Sequence, residues 1–354
     1  MDLFLLFLTR KDNIFVSDTS ITMAKKGLLI ICTLLFLTAC SFNQPVSECP
    51  DYRIYIRPAD NTESVIQSIV QSDPEANIKP LKFFLDRRDY DNHIHTGCYT
   101  VKSGALPKQV ADMLTSGAQT PVRLTINSTR TIGQMARAIA NQVMVDSAAI
   151  ASRLSDPAFL DSMGYTPTNV FCMIIPNTYE VYWNTSAPAL LSRLVKERNR
   201  FWNDERKAKA KSIGLSEDDV IILASIIEEE TAKVDEFPII AGVYMNRLKK
   251  KLPLQACPTV IFAMGGERPK RVLKKHLEYD SPYNTYKNPG LPPGPIRFVS
   301  TQAINAVLNY TKHNYLYFSA KEDFSGSHYF STTLSQHNAY AARYQRALDK
   351  AGIY

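Results

Sequence analysis

The stretch Ile222-Leu-Ala-Ser-Ile-Ile-Glu-Glu-Glu-Thr231, ILASIIEEET, runs from greasy residues into three consecutive glutamates. An α-helix advances about 100° per residue. With Leu223 at zero, Ile227 falls at about +40°, Val220 at about +60°, Ala224 at about +100° and Ile226 at about −60°. Glu230 lands at about −20°, inside that apolar stripe, while Glu229 at about −120° and Glu228 at about +140° fall well off it. The wheel therefore expects Glu230 alone to point where the greasy side chains point. A carboxylate so placed must be paired, protonated or set at the floor of a cleft. Burial disfavours its charged form, which suits a general acid working near neutral pH. A helix that frays after Ile227 is the other reading, with Glu230 in solvent or capping the next turn. Just upstream, Ser216-x-x-Asp219 is a capping box that starts the helix.

Working outward, the chain changes character near residue 127. Before it, YRIYIRP (Tyr52–Pro58), GCYTVKSGA and PVRLTIN alternate as short strands. NTESVIQSIV, capped by Asn61 or Thr62, and PKQVADMLTSG, with Pro107 in its first turn and Gly117 at its end, have helical spacing. These make a small α+β module over 45–127. After it, TRTIGQMARAIANQV, SAAIASRLSDPAFLDSM and FPIIAGVYMNRLKKK read as helices, and APALLSRLVKERNRFWNDERKAKAKSIG as one long amphipathic helix. SPYNTYKNPGLPPGPI is a proline-rich loop, and YLYFSA with HYFST are a final strand pair, within a helix-rich domain over 128–354. The fold class expected is α+β.

The N-terminal 1–44 reads as an export and anchor region. From Met23, MAKKGLLIICTLLFLTAC places two lysines ahead of an apolar run from Gly27 to Ala39, shorter than a membrane-spanning helix needs. Met23 is the better start for such a signal. Leu37-Thr38-Ala39-Cys40 resembles a bacterial lipobox, with Cys40 as the lipidated residue. An uncleaved membrane anchor extending through Phe42 is the alternative, and both export the rest of the chain.

Composition excludes several classes. The formal charge of +7 is mild and spread along the chain, the surface of a solvated protein. No finger, recognition helix or aromatic-basic stacking pattern points to nucleic acid. The six cysteines form no CxxC pair, so neither a zinc site nor a disulfide framework is expected, and no cofactor is implied.

The blocks LASIIEEETA, FPIIAGVYMNRLKKKLPLQACPTVIFAMG and YNTYKNPGLPPGPI closely resemble the endolytic murein transglycosylases, the MltG/YceG-like family. The resemblance continues in IIPNTYEVYWNTS, YLYFSA and HYFSTTLSQHNAY, and covers roughly residues 50–350. It implies a LysM-like module before a YceG-like catalytic domain, in a membrane-attached protein of the bacterial cell envelope whose catalytic domain lies outside the cytoplasm. It also implies non-hydrolytic cleavage of the MurNAc–GlcNAc bond inside peptidoglycan glycan strands, leaving 1,6-anhydro-MurNAc ends. Peptidoglycan synthases are a partner class it leaves open. The family's catalytic glutamate precedes the Thr of an E-x-E-T motif, which here is Glu230.

One acid/base residue suffices for that reaction, whereas two-carboxylate hydrolases need a second acid. Glu228, Glu180 and Asp280 remain as second carboxylates that folding could bring near. Asn246, Arg247 and Gln255 offer amide and guanidinium groups for sugar or peptide recognition, against a helix-surface ion pair for Arg247. Tyr283, Asn284, Thr285 and Tyr286 form a polar-aromatic loop suited to sugar faces, against simple packing. His328 and His337 lack ligand spacing and read as structural. Cys257 departs from the family pattern, which usually has Asp in this LQ-x-D-P-T block. A hydrolytic muramidase and a non-catalytic peptidoglycan-binding scaffold are the competing functions.

Overall fold

The computed structural model describes residues 42–265, 269 and 272–353. The export segment and Cys40 lie outside the described residues. Among those described, no helix is long and apolar enough to cross a membrane. The chain divides into two compact units, Met1–Thr120 and Pro121–Tyr354.

In the first unit the order is β1 (Tyr52–Ile56), α1 (Thr62–Ser72), α2 (Ile78–Arg87), β2 (Gly97–Val101) and α3 (Pro107–Ser116). β1 pairs antiparallel with β2, from Tyr52 opposite Val101 to Ile56 opposite Gly97. Alternation sends Ile54 and Ile56 into a core shared with Ile69, Leu81, Leu85 and Leu114. Asn61 caps α1 by accepting from the Ser64 amide, while Ser64 accepts from the Asn61 amide. Gly117, at φ +67°, ends α3 in the left-handed conformation. The sequence reading contains no helix at α2, whose lysines interrupt a stripe completed by Leu81 and Leu85.

The second unit begins at Pro121, six residues ahead of the expected boundary at 127, and its first strand is β3 (Val122–Thr125). β3 pairs with β4 (Thr178–Val181), Val122 opposite Val181, so its backbone bonds belong to the second unit. Three short helices intervene: α4 (Ile132–Ala140), α5 (Ser147–Ser155) and α6 (Pro157–Ser162).

The long helix expected next is two, α7 (Ala187–Phe201) and α8 (Asp204–Ser212). Trp202 leaves helical geometry with only 1% of its surface exposed, and Asn203 caps α8 through the Arg206 amide. Burying the indole outweighs continuing one helix, even though the Ala, Leu, Arg, Lys and Glu residues on both sides favour helix.

α9 (Glu217–Glu230) follows the predicted capping box and runs on without fraying to the last glutamate. Every residue from Val220 to Ile227 is buried. The helix is a central strut, packed by α8 and by α10 (Phe237–Lys249), α11 (Cys257–Ala263) and, after the four-residue α12 (Lys274–Leu277), α13 (Thr301–Leu308). Each large aliphatic chain so buried contributes about 1.5–3 kcal/mol. β5 (Tyr317–Ala320), β6 (His328–Ser331) and α14 (Leu334–Lys350) complete the unit.

The proline-rich loop is pinned to α9. Ser225, fully buried, donates to the Ile222 carbonyl at 2.7 Å and accepts from the Ile296 amide at 3.0 Å. Gly294 permits this course, because a Cβ there would stand 2.0 Å from the Thr168 carbonyl oxygen.

Candidate functional site

The three glutamates end α9, and the structure corrects the wheel's account of them. The side chains of Glu229 and Glu228 are 6% and 14% exposed, so neither faces open water. A helix buried on every side has no polar face to assign, and its end is sorted by partners. Glu229 Oε1 accepts from Arg130 Nε and from an Arg297 terminal nitrogen, each at 2.7 Å. Glu228 accepts from the Ser300 amide at 2.9 Å, at the N-terminus of α13, where the helix dipole favours a negative charge. Glu230 accepts at Oε1 from the Tyr244 hydroxyl at 2.6 Å. Tyr244 stands on α10 and is almost fully buried. Burial first, and then the charge of Glu230, push its phenol well above the ordinary tyrosine range, so it remains a donor.

Glu230 opens into two cavities. One, of about 380 Å³, is lined by all three glutamates with Arg130, Arg297 and Thr231. The other, of about 520 Å³, sets Glu230 with Tyr244, Arg247, Gln255, Cys257, Tyr286, Tyr317, Phe318, His328 and His337. A third, of about 390 Å³, shares Arg130 and Glu229 with the first and adds Ile261, Phe262 and Pro258. The glutamates thus stand along a chain of adjoining hollows.

The expected binding residues separate into two groups. Arg247, Gln255 and Tyr286 line the larger cavity with Glu230. Asn246, Tyr283, Asn284 and Thr285 line none of these three hollows and brace them instead. Asn246 donates to the carbonyls of His313 at 2.7 Å and Tyr315 at 3.0 Å. Asn284, fully buried, clamps its loop by donating to the carbonyls of Leu277 and Tyr279 and accepting from the Tyr286 amide. Thr285 accepts from the Ala256 amide and holds the Gln255 amide through its carbonyl. Tyr283 packs its ring 4.9 Å from that of Phe262.

Arg247 is not at the helix surface. Its Nε and two terminal nitrogens donate to the Pro253 carbonyl at 2.8 Å, the Leu316 carbonyl at 2.8 Å and Gln255 Oε1 at 2.6 Å. It ties the end of α10 to the 253–255 turn, where Gln255 takes φ +54°, and to the approach to β5. Burial lowers its guanidinium below the usual range, and the Tyr317 ring lies 5.3 Å away.

Cys257 lies 3.1 Å from the Tyr286 hydroxyl. Burial, and secondarily the charge of Glu230, push its thiol up to about 11, so a neutral group stands near the acid. Cys49, Cys98 and Cys172 are also free thiols.

Of the other carboxylates considered, Glu180 lines a separate hollow with Tyr182 and Arg193, and the Asp280 side chain is 99% exposed. The sequence reading did not single out Tyr244, Arg130, Arg297 or Glu236, and it took His328 and His337 as structural. Tyr244 meets Glu230 across 14 residues, Arg297 meets Glu229 across 68 and Glu236 meets His328 across 92, so no local spacing announces these pairs.

The YceG-like family pattern matches residues 54–343. An endolytic murein transglycosylase of Bacillus subtilis (strain 168) is 32% identical over 327 residues, covering 87% of this chain and 89% of that protein. One from Streptococcus pneumoniae serotype 2 is 31% identical over 175 residues, covering 48% of this chain and 31% of its own. The crystal structure of a YceG-like protein from Listeria monocytogenes superposes with a TM-score of 0.55 at 28% identity, covering 82% of this chain and 98% of that one. With an α+β architecture of small sheets and many helices, a family pattern matched over residues 54–343 and a relative 32% identical over 87% of the chain, this protein belongs to the YceG-like family.

Proposed function

We propose that this protein is an endolytic peptidoglycan lytic transglycosylase with Glu230 as its single acid/base. The observation that carries the reading is the position of Glu230, the last residue of a core helix, opening into hollows on two sides with a buried tyrosine donating to one oxygen. An enzyme that cuts inside a strand needs sugar subsites on both sides of its acid, and the adjoining cavities support that. The relatives named as endolytic murein transglycosylases support the substrate class.

Glu230 protonates the glycosidic oxygen as the bond to MurNAc C1 breaks, giving an oxocarbenium-like centre. The carboxylate then takes the proton from the same sugar's C6 hydroxyl, whose oxygen closes the 1,6-anhydro ring. Glu228 and Glu229 share a hollow with Glu230, but Glu229 is held between two guanidinium groups and Glu228 by a backbone amide. An intramolecular hydroxyl needs no second carboxylate to activate water.

The first unit serves as a LysM-like glycan-binding module, and Cys40 carries the lipid that holds the chain at the outer face of the plasma membrane, within reach of peptidoglycan synthases. A Cys40→Ala variant that is processed and located as before would rule out lipidation.

Digestion of murein followed by mass analysis tests the main reading. Anhydro-muramyl ends are expected, and they should disappear in Glu230→Gln while glycan binding persists. Plain reducing ends would establish a muramidase instead. Binding without any cleavage by the native chain would establish a scaffold.

A further inference from the structure

His328 begins β6 and lines the larger cavity with Glu230. Its side chain is 9% exposed, and that of Glu236 is 10% exposed. Glu236 grips it twice: Oε1 accepts the His328 backbone amide at 2.8 Å, and Oε2 accepts from ring Nδ1 at 2.7 Å. The Thr231 hydroxyl, on the residue after Glu230, reaches the same Oε2 at 3.4 Å. One carboxylate therefore links the residue that caps the end of α9 to the imidazole. The Phe318 ring meets the imidazole edge-on at 5.4 Å and fixes its plane.

The proton position follows from the donor set. A carboxylate can only accept, so Nδ1 carries a hydrogen; in the neutral ring Nε2 is then an acceptor, and in the protonated ring it is a second donor. Among the described residues Nε2 makes no hydrogen bond, and it is not among the buried polar atoms closed off without a partner. An oriented acceptor opening into a cavity rich in aromatic faces is a recognition element for a group that donates.

We propose that His328 is a glycan-binding residue whose Nε2, in the neutral ring, accepts a hydrogen bond from a sugar hydroxyl or acetamido N–H in the cavity beside Glu230, with Glu236 as its positioning residue. The inference rests on reading that cavity as the glycan cleft. Glu236 fixes the ring's tautomer and its orientation, so the acceptor is in place before the strand arrives, which lowers the cost of ordering on binding.

The test uses the full chain and uncrosslinked glycan strands, with kcat and KM measured separately. The Kd of a muro-oligosaccharide is read in a Glu230→Gln background. His328→Phe keeps a flat ring and removes the acceptor. KM and Kd are expected to rise about tenfold, with kcat within about twofold, as for one lost hydrogen bond. His328→Gln, whose amide oxygen reaches the place of Nε2, should recover most of the loss. Glu236→Gln can donate to Nδ1 and drive the hydrogen to Nε2, so it should raise KM like His328→Phe, and the double variant should be no worse than either.

Oligosaccharides whose 2-acetamido groups are replaced by 2-O-acetyl esters, which keep the carbonyl and lose the N–H, identify the donor. If it is the acetamido N–H, the native chain shows the same rise and His328→Phe adds nothing. If it is a hydroxyl, the His328→Phe effect persists. Unchanged KM and Kd in His328→Phe, or no advantage of Gln over Phe, overturns the proposal. Should His328→Phe fail to fold, as judged by its thermal melt, His328→Gln and Glu236→Gln decide the matter by the same KM comparison. Failure of the underlying reading is separately visible, as cleavage that survives Glu230→Gln.

Discussion

The Tyr244 hydroxyl donates to Glu230 Oε1 at 2.6 Å, from a helix that packs against the one carrying the acid. The bond holds one carboxyl oxygen of the residue proposed as the acid. A donor to the charged form favours that form.

Tyr244→Phe therefore makes the glutamate hold its proton to higher pH. On the proposed mechanism, cleavage should persist to higher pH in the variant than in the native chain. Plateau kcat should fall about tenfold for the lost orientation. A pH–rate profile of kcat/KM checks both effects. An unmoved alkaline limb would show that the bond does not govern the acid.

Arg247→Lys tests whether that residue braces the fold. A lysine carries charge but cannot reach the carbonyls of Pro253 and Leu316 and the Gln255 amide oxygen in three directions at once. Stability should drop by about 2–3 kcal/mol, read by denaturant unfolding of the second unit. Native stability with weakened glycan binding would make it a substrate residue instead.

Ser225→Ala removes the acceptor of the Ile296 amide in a fully buried site. An unpaired buried N–H costs about 1–3 kcal/mol, so the proline-rich loop should loosen from α9. Hydrogen exchange at Ile296 should accelerate well beyond the change in global stability.

Cys257 should resist alkylation. With its thiol pushed up to about 11, on the order of one thiol in a thousand is ionised at pH 8. Iodoacetamide at that pH is expected to label exposed Cys49 and spare Cys257, as read by peptide mass. Since the charge of Glu230 contributes to the upward shift, Glu230→Gln should speed labelling of Cys257. Equal rates in the two chains would show that the groups do not feel each other.

Much of the local structure was legible. The Ser216 capping box, Asn61 at the head of α1, Pro107 and Gly117 bracketing α3 and the alternation of β1 all lie where their side chains satisfy their own neighbours. The pairing of β3 with β4 was not, because a strand's partner is a matter of distant backbone. The break at Trp202 was equally hidden, since a continuous charge-laced pattern says nothing about a pocket awaiting an indole. Among the candidate site residues, the motif blocks named Gln255, Tyr286, Asn284 and Thr285 together. They did not separate Gln255 and Tyr286, which face the cavity, from Asn284 and Thr285, which hold its walls.

The sequence by itself determined where α9 starts, that three carboxylates follow its apolar run, and to which family the chain belongs. These rest on short-range capping, composition and motif order. Only the tertiary structure decided what each carboxylate meets. α9 is enclosed on all sides, so periodicity carries no direction there. The partners arrive from 14 residues away for Tyr244, 68 for Arg297 and 72 for Ser300, and Glu236 meets His328 across 92. Electrostatics and hydrogen bonding act over a few ångströms of space, and chain separation alone does not fix which distant groups come that close.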